Sequence, residues 1–159
     1  MRRPDNIVTE LCVHDGRGAL EFYKQAFGAV EQERIMSPDG AKLMHGALTI
    51  GGHRLVVFDE FSASEGGTCR CPQSLGGTPV RLILEVEDAE AVARQAVVAG
   101  ATIMMPVTKM FWGARYGKLK DPYGHEWGIN EQLYDPSPAD EAKAAEQYFS
   151  SNPKLSNDR

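Results

Sequence analysis

The sequence predicts an α+β chain of two βαβββ modules in tandem, followed by a C-terminal helix. Three observations predict it. The same order of signals occurs twice: an apolar strand, an aspartate, a helical stretch and a glycine followed by alanine. The copies are evenly offset, with 73 residues between Asp15 and Asp88 and 72 between Gly28 and Gly100. A Ser-Pro pair, Ser137-Pro138, then opens a stretch with no counterpart in either copy.

In the first copy Ile7, Thr9, Leu11 and Val13 alternate with Val8, Glu10 and Cys12, the period of a strand with one apolar face. Asp15 is the expected N-cap of a helix in which Ala19, Leu20, Tyr23, Ala26 and Phe27 recur at helical spacing. Gly28 stops that helix. Val30 to Met36 reads as a strand and Ser37-Pro38-Asp39-Gly40 as a turn. Two further strands, Lys42 to Ile50 and His53 to Asp59, join tightly at Gly51-Gly52.

Phe61 to Thr78 reads as a long connecting loop rich in Gly, Ser and Cys, and a loop of that length in a compact chain is functional or mobile. The second copy begins at Val80 to Val86. Asp88 caps a helix ending at Gly100, and Thr102 to Val107 is a strand. Arg115 to Lys120 and Glu126 to Asn130 form a hairpin around Asp121-Pro122-Tyr123-Gly124. The modules are therefore expected at residues 5–60 and 79–133, with the loop at 61–78 and a helix and tail at 134–159. In that tail Ser137 is the N-cap, Pro138 the first helical residue and Glu141 to Phe149 the helix, with fraying from Ser150 onward.

Composition narrows the function classes. The 159 residues carry a formal net charge of −5, against a nucleic-acid partner, which needs a basic face. No apolar run approaches the roughly 18 residues of a membrane span, and Met-Arg-Arg-Pro-Asp-Asn leads into no secretory signal. Cys12, Cys69 and Cys71 are an odd count. Cys69 and Cys71 stand too close in sequence to pair easily, so free thiols and a cytoplasmic location are expected. Cys69-Arg70-Cys71 has no second cysteine pair to make a zinc site; Arg70 beside them is a weak reason to expect a reactive thiol.

Several segments together resemble the vicinal oxygen chelate superfamily of glyoxalase I, bleomycin-resistance proteins and extradiol dioxygenases. They are Ala19-Leu20-Glu21-Phe22-Tyr23, His45-Gly46-Ala47-Leu48-Thr49-Ile50-Gly51-Gly52, and Met110-Phe111-Trp112-Gly113 leading to Asp121-Pro122-Tyr123-Gly124-His125. The last combination looks most like the PhnB-like branch. The resemblance covers about residues 5–133 and implies a curved eight-stranded mixed sheet forming a cup, with helices outside, and often a homodimer. It also implies four metal ligands inside the cup, which fall by motif at Val8, Ala47, Arg81 and Gly128. None of these offers the oxygen or imidazole donor a divalent metal needs. No metal site and no cofactor are expected, and metal-dependent glyoxalase or dioxygenase activity is not expected either.

Strand parity then assigns the cup wall. The face opposite the helices carries Glu10, His45, Thr49, Arg81, Glu85, Glu126, Gly128 and Asn130 among others. Arg81 either grips an anionic or carbonyl group of a ligand or neutralises Glu10 or Glu85. His45 is either a general base or polar lining. Phe111, Trp112 and Tyr116 either stack on a flat ligand at the cup mouth or pack against the long loop or a second subunit. His125 is expected to stabilise the turn before it, and His14 and His53 to do no chemistry. The expected ligand-binding set is Glu10, His45, Thr49, Arg81, Glu85, Trp112, Tyr116 and Asn130, with no catalytic residue assigned. Three functions compete. One is metal-free binding of a small, aromatic or oxygenated ligand in the cup. A second is a glyoxalase-type lyase or isomerase with Glu10 or His45 as base and Arg81 as charge stabiliser. The third is a dimeric interaction module without catalysis.

Overall fold

The computed structural model describes residues 7–152, so the readings of Met1–Asn6 and of the tail beyond 152 lie outside the described residues. The first module contains β1 (Thr9–Val13), α1 (Gly16–Phe27), β2 (Val30–Met36), β3 (Leu43–Ile50) and β4 (His53–Asp59). A connecting segment holds a 3-10 turn, Ala63–Glu65, and the short helix α2 (Pro72–Leu75). The second module contains β5 (Arg81–Glu85), α3 (Ala89–Ala99), β6 (Thr102–Lys109), β7 (Ala114–Lys120) and β8 (Glu126–Gln132), and α4 (Pro138–Ser151) follows.

Both modules have the same topology. Their strand orders are β1-β4-β3-β2 and β5-β8-β7-β6. The outer strand of each runs parallel to its neighbour, β1 to β4 and β5 to β8, and the other pairs are antiparallel. A parallel pair needs a long crossover, which the helix of each module begins. The eight strands are thus hydrogen-bonded as two four-stranded sheets. Their edge strands β1 and β5 face each other, since Thr9 and Leu82 line the same cavities.

The helix ends follow the sequence signals. Asp15 accepts the Gly18 amide at 3.0 Å and Asp88 the Ala91 amide at 2.8 Å. Gly28 ends α1 with φ +65°, a left-handed value that glycine adopts without steric cost. Helices α1 and α3 cover one side of the sheets and pack on each other. One core spans both modules and takes in Leu11, Val13, Leu48, Trp127 and Ile129.

A buried carboxylate ties the modules together. Asp121 Oδ2 accepts the Tyr23 hydroxyl of α1 at 2.7 Å and the Trp127 indole N–H at 2.9 Å, while Oδ1 accepts the amides of Tyr123 and His125. Around it the ring of Trp127 lies 5.5 Å from Tyr23 and 4.7 Å from Phe27. Each group around this carboxylate is paired, as burial requires. Burial and the adjacent carboxylate push the Tyr23 phenol pKa well up.

Three expectations change. β1 starts at Thr9, so Ile7 stands outside it, 86% exposed, instead of facing a helix. The segment 61–78 is part-structured, because Pro72 at the first helical position and Gly76 just past the end make a one-turn helix. His125 reaches across the modules, with Nε2 2.9 Å from the Cys12 carbonyl; it is its backbone amide that serves the turn.

Candidate ligand-binding site

Register places the polar strand residues of the second module on the side away from the helices. Arg81 lies opposite Glu126, Ile83 opposite Gly128 and Glu85 opposite Asn130 in the β5–β8 pair. β7 continues all three rows, with Lys120 beside Glu126, Lys118 beside Gly128 and Tyr116 beside Asn130. Arg81, Ile83, Glu85, Trp112, Tyr116, Lys118 and Asn130 line one open cavity of about 410 Å³. Five of the eight expected residues, Arg81, Glu85, Trp112, Tyr116 and Asn130, therefore meet at one place.

The partners inside this cavity differ from the expected ones. Arg81 Nη2 pairs with Glu126 Oε2 at 2.6 Å, and neither Glu10 nor Glu85 is its partner. The Glu126 carboxylate, with help from the Tyr116 hydroxyl, raises the Arg81 pKa further above its usual range. Asn130 donates to Glu85 Oε2 at 2.8 Å. Trp112 and Tyr116 meet edge-on, with centroids 5.9 Å apart at 64°.

The first module carries a separate cavity, also about 410 Å³, lined by Glu10, Met44, His45, Phe58, Phe61 and Cys69 among others. His45 does have a neighbour, since Nε2 stands 3.7 Å from Glu33 Oε2 across β2. Thr49 pairs with Val30 and Arg54 and lines neither cavity. The base candidates Glu10 and His45 thus sit in a different cavity from Arg81, the expected charge stabiliser. Phe111 packs on Tyr148 and Phe149 of α4, at 5.3 and 6.2 Å between centroids, and also on Trp112 at 5.0 Å.

Gly128 stands at one of the four positions where the resemblance implies a metal ligand. The Tyr116 ring covers it: a Cβ on Gly128 would lie 2.6 Å from the phenolic oxygen and 2.8 Å from a ring carbon. A phenol fills the space a ligating side chain would need. Among the described residues no three His, Cys, Asp or Glu side chains converge as a metal site. The residues present do not fit the metal of the family's enzymes, so no step is derived through one.

The family itself follows from comparison. The model of the Glyoxalase/Bleomycin resistance protein/Dioxygenase superfamily matches residues 5–129. The chain belongs to that superfamily. Among relatives, an uncharacterised protein of Mycobacterium tuberculosis, Rv0887c, is 42% identical over 135 residues, 85% of this chain and 78% of that protein. The superfamily fold also appears in the solved structure of the Arabidopsis thaliana At5g48480 product, with TM-score 0.62, 30% identity and coverage of 80% of this chain and 98% of that one. A Bacillus cereus PhnB protein shares the fold at TM-score 0.57 and 18% identity, covering 80% of this chain and 99% of its own.

The signals missed in the sequence are Lys118, the fit of Tyr116 over Gly128, and the role of Glu126, which was expected on the cup wall but not as the partner of Arg81. Glu126 was findable, because pairing β5 with β8 in parallel puts it opposite Arg81. Burial pushes the Cys12 pKa up to about 12, which disfavours its thiolate. Arg70 donates to the Ser74 carbonyl at 2.6 Å, and Cys71 is buried. Among the described residues no helix is long and apolar enough to cross a membrane.

Proposed function

We propose that this superfamily member binds a small organic ligand on the open face of its second module, without a metal. One observation carries the reading. Arg81, Glu85, Trp112, Tyr116 and Asn130 converge on a single cavity, while a phenol covers the one ligand position that β8 would supply. Paired polar groups give a ligand orientation, and the two aromatic rings give it contact area. Ile83, 56% exposed on the same face, is apolar surface that a ligand would cover.

The test is a thermal-shift screen of aromatic metabolites and antibiotics, with mass spectrometry of whatever co-purifies. A hit is expected to raise the melting temperature of the wild-type chain, and the gain is expected to fall away in Trp112→Ala and Tyr116→Ala. A screen with no hit and nothing co-purifying sinks the reading. So does a ligand whose effect survives both substitutions.

A further inference from the structure

We propose that the occupant of the second-module face is a planar organic anion, an aromatic carboxylate. It stacks in the angle between Trp112 and Tyr116, with its acid group on Lys118 and Arg81. This rests on reading that face as the ligand site and adds the ligand's charge and shape.

Charge decides the sign. Lys118 lines the cavity from the centre of β7, half-buried, and among the described residues it makes no ion pair. Two guanidinium–carboxylate pairs nearby are matched. Arg81 holds Glu126 at 2.6 Å, and Arg115 holds Glu131 at 2.8 Å. Glu85 is the one acid lining the cavity itself. It also lines an adjoining cavity of about 390 Å³ at the seam, together with Arg54, whose buried Nε has no hydrogen-bond partner. Arg and Lys side chains lining the two cavities are Arg54, Arg81 and Lys118, and the one lining carboxylate is Glu85; Glu126, the partner of Arg81, adds a second, which leaves one positive charge uncompensated. A half-buried, unpaired ammonium favours an anion over a neutral ligand because its own hydration is already reduced.

Shape follows from the rings. Trp112 and Tyr116 meet at 64°, which leaves one face of each ring angled toward the same space, and a flat group contacts both. Tyr116 can lie there only because residue 128 has no side chain. Its hydroxyl supports the charge on Arg81. The ligand's acid then points toward Arg81 and Lys118, and a donor at its far end points toward Glu85 and Asn130. The arrangement uses protein cations where relatives with a full ligand set would use a metal.

The test compares 4-hydroxybenzoate with 4-hydroxybenzamide, nearly the same shape with and without the charge, on the full chain. Trp127 is buried and bonded to Asp121, so quenching of tryptophan emission reports on Trp112, the second of two tryptophans. The carboxylate is expected to quench and saturate, with the amide roughly ten-fold weaker, as loss of one charge-assisted contact implies. Lys118→Met is expected to bring the carboxylate down to the level of the amide, and Lys118→Arg to restore most of the difference. Equal binding of amide and carboxylate overturns the anion assignment but leaves the face as a ligand site. An unchanged preference in Lys118→Met overturns it as well, as does failure of the carboxylate to bind. The wider reading fails only on the separate criterion that no ligand of any charge depends on Trp112 and Tyr116.

Discussion

Along β8 successive side chains enter two different environments. Trp127 and Ile129 point toward the helices and are buried in the shared core, Trp127 bonded to Asp121. Glu126, Gly128 and Asn130 point the other way, toward Arg81, Tyr116 and Glu85. β5 shows the same split, with Leu82 and Leu84 packed on the core and Ile83 56% exposed. The helix side is closed around a carboxylate with four donors. The open side keeps an unpaired lysine and uncovered apolar surface. Duplication accounts for the first side, which needs two modules to close. The second side is where this chain is particular, and the following measurements separate the two.

The largest effect is expected at Asp121. Asp121→Ala removes the acceptor for Tyr23 and Trp127 and leaves both buried donors unpaired, at about 1–3 kcal/mol each. A total loss of roughly 3–5 kcal/mol in urea unfolding is expected, enough to unfold a marginal domain. A loss below about 1 kcal/mol would mean that the seam does not depend on this carboxylate.

Next comes the open side. Gly128→Ala pushes a methyl group into the Tyr116 ring, and overpacking of that kind costs about 1–3 kcal/mol. In a Tyr116→Ala background the same change is expected to cost almost nothing. Equal costs in the two backgrounds would show that Tyr116 does not occupy the space over Gly128.

The same division explains what was legible in the sequence. Helices and strands were readable because local signals suffice: Asp15 and Asp88 cap, Gly28 and Gly100 stop, and alternation marks the faces. The cavity was readable in part, because parity alone puts Arg81, Glu85 and Asn130 on one face. Partner choice was not, since Arg81 bonds a residue 45 positions away and the pairing depends on the register of two strands. The hub at Asp121 was hidden for the same reason: its motif looks like a turn, and Tyr23 is 98 residues distant. The separation of Glu10 and His45 from Arg81 follows from how the two sheets sit, which no short-range pattern encodes.

A smaller effect is expected at the edge of the open face. α4 buries no residue fully and meets Phe111 through Tyr148 and Phe149. Aromatic pairs of this kind contribute about 0.5–1.5 kcal/mol. Phe111→Ala is expected to cost about that much in the full chain and less in a chain ending at residue 135. An equal cost in both would mean that α4 gains nothing from docking on Phe111.

The smallest effect concerns acid. Arg34 grips Glu31 with two bonds, Nε to Oε1 at 2.6 Å and Nη2 to Oε2 at 2.8 Å, and Lys24 adds a third at 3.1 Å. These contacts, that of Arg34 foremost, hold the Glu31 carboxyl down at about 2. A carboxyl whose pKa is depressed in the folded chain stabilises it above the unfolded value and loses that contribution as pH falls toward the folded one. The pair's contribution is therefore complete above about pH 4.5, the ordinary glutamate value, and fades toward pH 2. On a solvent-facing strand it amounts to less than about 1 kcal/mol. Arg34→Met is expected to lower the urea midpoint slightly at pH 7, with the gap to wild type closing as pH drops to 3. Glu21, which Arg34 Nη2 also bonds at 3.1 Å and whose pKa Lys24 and Arg34 lower, moves the difference in the same direction, while the carboxylates that Arg34 does not touch cancel. A gap that stays constant from pH 7 to 3 would mean that Arg34 acts on β2 through its aliphatic stem rather than its charge.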